Sequence, residues 1–147
     1  MNRSAIDRWV RTAARVLLGV ALTFAGISHL GSARAEFQAQ VPPWVPLDPD
    51  FVVLASGVVE IIVGLSLMFL WRWKAWVGLI VAAFFIAIFP GNISQFVNGI
   101  DAFGLDTDEA RGIRLLFQPL LVLWALWSTS AWSLIQALWP TSRPTTN

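Results

Sequence analysis

The chain has 147 residues, 56% of them hydrophobic and 13% charged, with a formal net charge of +1 and no cysteine. Soluble domains carry roughly 25% charged residues. About half that density, with a mean hydropathy of +0.66, argues against a water-soluble globule, and the hydrophobic load excludes a disordered chain. Without cysteine there is no disulfide, iron–sulfur cluster, thiol redox motif or thiolate zinc site.

A membrane-crossing helix needs about 20 mostly apolar residues. The chain supplies four such runs, predicted at 11–30, 51–71, 75–97 and 113–134. The expected fold is all-α, a four-helix bundle spanning a membrane as a single domain over 1–147. The predicted outer loops cover 31–50 and 98–112, and a short polar tail covers 140–147. The start of the chain also resembles a secretory signal, with Ala33-Arg34-Ala35 as a small-residue cleavage site. Three further spans favour its retention as a helix.

The first outer loop should open with a short helix over Ala35–Gln40. An extended, proline-stiffened Val41–Pro46 follows, because prolines block helix and restrict their predecessors. The turn at Arg72–Lys74 is tight and predicts antiparallel neighbours in the second and third spans. The third span must continue through Pro90, which frees a carbonyl that a neighbouring helix has to satisfy. Gly19 and Gly26 are seven residues apart, as are Gly57 and Gly64, a spacing of small residues that permits close backbone approach in lipid. The segments Gly19–Leu30 and Gly57–Met68 also resemble each other.

Orientation follows from the cations. Arg3, Arg8, Arg11, Arg72, Lys74 and Arg143 fall on one side, with Arg15 able to snorkel back to it. Arg34, Arg111 and Arg114 fall on the other, among most of the acids. The positive-inside rule then places both termini in the cytoplasm. Trp9, Trp71, Trp73, Trp76, Trp132 and Trp139 would form an inner aromatic belt, with Trp44 at the outer interface.

Ionisable groups within spans are costly, roughly 2.5–3.5 kcal/mol at the centre on insertion scales. Glu60 lies about 14 Å into the second span at 1.5 Å per residue, so it must face the bundle interior, protonated or paired. His29 ends the first span on the same side. Asn92 and Gln95 share a face of the third, and Arg114 and Gln118 share a face of the fourth. The six residues His29, Glu60, Asn92, Gln95, Arg114 and Gln118 therefore define a candidate polar pocket or network in the outer half of the bundle. Glu60 and Arg114 are expected to form a charge-linked pair. Three uses remain open: a hydrogen-bonded network that sets helix register, a ligand pocket, or a proton path. No metal-ligand spacing, phosphate loop, nucleophile–base pair or nucleic-acid patch is present.

In order, the chain carries Arg15-Val-Leu-Leu-Gly19, Ala-Gly26-Ile-Ser-His29, Val-Pro-Pro-Trp-Val-Pro, Ser56-Gly57-Val-Val-Glu60, Phe89-Pro-Gly-Asn92-Ile and Arg114-Leu-Leu-Phe-Gln118. Together these resemble the DoxX-like family of small four-helix bacterial membrane proteins over roughly Arg15 to Trp127. The resemblance implies a multi-pass protein of the bacterial inner membrane. The founding members are subunits associated with a terminal quinol oxidase and thiosulfate–quinone oxidoreduction, and relatives are linked to redox homeostasis and membrane-protein assembly. It licenses no catalytic role for Glu60 or Arg114.

The leading expectation is a non-enzymatic accessory or small-molecule-binding subunit. It would need no resident cofactor, and its partners would be the lipid bilayer and another membrane protein or a second copy, with no nucleic acid. One alternative is a quinone-interacting subunit of a membrane oxidoreductase, with the electron-carrying centre on a partner. The other is a small proton-coupled permease acting as a dimer.

Overall fold

A computed structural model describes residues 3–139; the predicted tail at 140–147 lies outside the described residues. The elements are α1 (Arg3–Leu30), α2 (Arg34–Gln38), α3 (Pro49–Phe69), a 3₁₀ turn (Trp71–Trp73), α4 (Lys74–Val97), α5 (Asp108–Thr129) and α6 (Ala131–Leu138). The described residues contain no strand. Four helices, Ser4–Leu30, Pro49–Phe69, Trp71–Val97 and Asp108–Thr129, are long and apolar enough to cross a membrane.

Local chemistry sets the helix ends. Asp48 caps α3 by accepting from the Phe51 amide at 3.1 Å, and Pro49 follows in the first turn, where its missing N–H is harmless. Thr107 caps α5 through the Ala110 amide at 3.2 Å, and Asp108 and Glu109 place negative charge at the positive end of that helix.

The fourth long helix stops at Thr129, not near Leu134 as predicted. Two hydroxyls compete for its backbone there. Thr129 Oγ1 turns back onto the Ala125 carbonyl at 2.6 Å, and Ser133 Oγ donates to the Ser130 carbonyl at 2.7 Å. Ser130 itself is left-handed, with φ of 60°, and α6 continues as a separate helix. α1 starts at Arg3, well before the predicted boundary.

Helix pairing adds what the turn could not show. α3 and α4 are joined by the tight turn yet touch only lightly. The close partners are α1 with α3 and α4 with α5. In the first pair Gly19 faces Gly64 and Gly26 faces Gly57. A Cβ at Gly19 would stand 2.7 Å from the Gly64 carbonyl oxygen, and one at Gly26 would stand 2.5 Å from that of Gly57. In the second pair a Cβ at Gly78 would fall 1.9 Å from Thr129 Oγ1. Both pairs run antiparallel.

Toward the tight-turn end an apolar core closes all four helices, with Leu18, Leu67, Val81 and Ala125 fully buried. Arg15 is buried there. Its Nη1 donates to the Leu67 carbonyl, placing a cation at the negative end of α3. Arg11 does the same for α5 through the Trp127 carbonyl at 3.0 Å, its guanidinium 5.3 Å from the Trp127 ring centroid.

Candidate functional site

Toward the opposite end, which carries the two long connections, the pairs separate around a cavity of about 380 Å³. α1 contributes Ala25 and His29, α3 Ser56 and Glu60, α4 Phe85 and Asn92, and α5 Arg114 and Gln118. Five of the six candidates singled out from the sequence line this space. The sixth, Gln95, does not. It is fully buried above the cavity, where its Oε1 accepts from Gln40 at 2.7 Å and its Nε2 donates to the Ile100 carbonyl at 3.3 Å.

Gln118 is the hub of the second pair. Its Oε1 accepts from Asn92 Nδ2 at 2.9 Å, and its Nε2 donates to the Phe85 carbonyl at 2.6 Å. Pro90 removes the helical donor to the Ile86 carbonyl and loosens the ladder around it. The neighbour's amide reaches the adjacent carbonyl, that of Phe85.

Glu60 is paired, but not with Arg114. Its Oε2 lies 3.1 Å from His29 Nδ1. Nδ1 is also 2.8 Å from the Ala25 carbonyl oxygen. A carbonyl can only accept, so Nδ1 carries a proton directed at Ala25. Glu60 Oε2 is left buried with no aligned donor, at a side-chain exposure of 7%. Arg114 has no carboxylate within 4.0 Å among the described residues. Its one polar contact is a long 3.5 Å approach of Nη1 to Gln118 Oε1, an atom already accepting from Asn92.

A cap closes this end of the bundle. Phe37 on α2 stacks on the His29 ring at 3.4 Å and 16°, and meets Phe103 edge-on at 4.6 Å. Arg34 grips Asp50 with two hydrogen bonds, Gln38 adds a third, and the Glu36 carboxylate accepts from the Phe103 amide. The last bond holds Phe103 at φ of 57°, a conformation that costs a non-glycine residue about 1–2 kcal/mol. Val41–Pro46 is not extended as expected. The Val45 amide bonds the Pro42 carbonyl at 3.0 Å, because Pro43 presets the backbone of a turn. That turn brings Trp44 and Pro42 to the cavity wall.

The sequence pointed to neither the cap residues Phe37 and Gln40 nor Arg111. Buried Arg111 organises the second connection through Asp101 at 2.7 Å, Asp108 at 2.9 Å and the Leu105 carbonyl at 3.0 Å. Its position, three residues after Asp108 on one helix face, was the available signal. Among the described residues no group of three His, Asp or Glu side chains is disposed to hold a metal ion.

No curated protein and no solved structure matches the chain. Residues 18–129, most of the chain, match the family described as a domain of unknown function, DUF8561, and the protein belongs to that family.

Proposed function

We propose that this is an integral membrane protein that binds a small, largely apolar molecule in the cavity between its two helix pairs. It acts as a non-enzymatic accessory subunit of the DoxX-like type. The carrying observation is the buried Glu60 oxygen without a donor, on the wall of a mainly apolar cavity of ligand size. A purely architectural network would satisfy its members. This one satisfies Gln118 and Asn92, sets Glu60 Oε2 beside His29 without an aligned donor, and gives Arg114 a single long contact, both on the cavity wall. The distribution of basic residues supports cytoplasmic termini in a bacterial inner membrane, with the cap facing outward.

The test is mass spectrometry of small molecules that co-purify with the chain in mild detergent. Ser56→Leu, which fills the cavity from α3, is the control. The expected result is a near-stoichiometric apolar compound that is lost in Ser56→Leu while helicity and monodispersity persist. Equal small-molecule content in the two proteins would overturn the binding reading. A recovered quinone would favour the oxidoreductase-subunit alternative. In intact cells, an impermeant maleimide should label a cysteine at Thr107 and spare one at Lys74; the reverse pattern would invert the orientation.

A further inference from the structure

The cavity holds one carboxylate and one guanidinium, and neither neutralises the other by contact. Glu60 on α3 and Arg114 on α5 reach it from different helix pairs. The groups that could have satisfied them are committed elsewhere. The His29 Nδ1 proton points at Ala25, and both ends of the Gln118 amide are engaged by Asn92 and Phe85. Glu60 Oε2 is an acceptor lacking a donor. The Arg114 guanidinium has several donors and a single long contact.

Glu60 and Arg114 bring opposite formal charges to the cavity, and these two cancel over the cavity as a whole. A ligand with net charge would leave one charge uncompensated in an apolar, water-poor space, which is costly. A ligand with only acceptors would leave Glu60 unsatisfied, and one with only donors would leave Arg114 unsatisfied.

We propose that the cavity selects a net-neutral amphiphile whose polar end carries a hydrogen-bond donor beside an acceptor, as in a primary amide or a hydroxy-ketone. The donor meets Glu60 and the acceptor meets Arg114. The apolar body lies between the helix pairs, against Ala25, Phe85 and Leu121. This assignment rests on the ligand-binding reading above and adds the head-group chemistry to it.

The experiment uses four probes with matched alkyl tails: decanamide, undecan-2-one, decanoate and decylamine. Binding to the full-length protein is measured by native mass spectrometry, with Ser56→Leu as the baseline for non-specific uptake. The wild type should hold decanamide about tenfold more tightly than any of the other three. Glu60→Gln leaves the Arg114 cation uncompensated and should switch the preference to decanoate. Arg114→Met leaves the carboxylate uncompensated and should switch it to decylamine. An inversion of selectivity in opposite senses is not a signature of misfolding. The wild-type ranking alone decides the matter if either variant fails to fold.

Four probes held equally above the baseline would overturn the head-group assignment and leave the binding reading standing. A wild-type preference for decanoate or decylamine would overturn it too, because the cavity would then carry a net charge. No probe above the baseline would overturn the binding reading itself.

Discussion

The two helix pairs close by different means. α1 and α3 meet backbone to backbone at Gly19–Gly64 and Gly26–Gly57, with no room for a Cβ on either side. α4 and α5 make one comparably tight contact, at Gly78, but there the neighbour is the Thr129 side chain and not main chain. Further along, an amide clasp of Asn92, Gln118 and the Phe85 carbonyl holds them, and both helices carry an internal proline, Pro90 and Pro119. Glycine contact has no slack, since any added atom collides with main chain. A side-chain clasp can lengthen or rotate, and prolines remove ladder bonds on either side of it. The cavity therefore has one wall of fixed geometry, carrying His29 and Glu60, and one that can adjust, carrying Asn92, Arg114 and Gln118.

The largest expected effect lies on the fixed wall. Gly26→Ala sets a methyl 2.5 Å from the Gly57 carbonyl oxygen and 3.0 Å from Glu60 Cβ. Backbone cannot rotate away as a side chain can, so the cost should fall at the upper end of overpacking, about 2–3 kcal/mol. Thermal unfolding in detergent would show it. Gly31→Ala, with only an ordinary 3.7 Å contact to the Ile27 carbonyl oxygen, should be nearly silent. Equal effects at the two positions would refute the claim that close approach makes this wall rigid.

The adjustable wall should respond less, and cooperatively. Gln118→Leu strips the Asn92 amide and the Phe85 carbonyl of a partner, and Asn92→Leu strips Gln118. Interhelical hydrogen bonds in membranes are worth about 0.6 kcal/mol on average and up to about 1.7 kcal/mol. Each single change should therefore cost about 1 kcal/mol, and the double change less than the sum, because it leaves fewer orphaned groups. Strict additivity in that cycle would mean the clasp bears no load.

This contrast also marks what the sequence could disclose. Apolar runs of sufficient length place four helices, since little else can be done with such residues in lipid. The seven-residue glycine spacing marked two packing faces, yet not that they face each other. The tight turn after α3 pointed to α4 as an antiparallel neighbour, and the two do touch, but the closest packing of α3 is with α1. Loop length limits which helices are adjacent in sequence and says little about which faces fit. Glu60 was legible as a buried charge from its depth alone. Its neighbour was not, because helix rotation decides whether His29 or Arg114 comes within reach. Gln95 shares a helix face with Asn92 but sits one turn nearer the cap, where the Gln40 amide, contributed by a loop, claims it. The end of α5 at Thr129 depends on hydroxyls folding back onto the helix, a competition that hydropathy does not register.

The smallest effect on stability should come from the cap, and there the informative readout is access. α2 is tied down by Arg34 and Gln38 on Asp50, by Glu36 on the Phe103 amide and by Phe37 on the His29 ring. The Arg34–Asp50 contact is solvent-exposed, and such pairs add little to global stability. The Asp50 carboxylate, by hydrogen bond and by charge, also raises the Arg34 guanidinium further above its ordinary range. A raised cation keeps its contribution until pH exceeds that range, so base does not release the tie. The same contact lowers the Asp50 carboxylate, so only strong acid would release it, and a substitution tests it without changing pH. Arg34→Gln should leave the unfolding temperature unchanged and loosen the lid over the cavity. Because the chain has no cysteine, a single Ala25→Cys beneath the cap reports on that directly. Its reaction with a water-soluble maleimide should accelerate several-fold in Arg34→Gln and further in Phe37→Ala, which removes the stacked ring. An unchanged rate in both would mean that the cap is fixed architecture and does not govern access to the cavity.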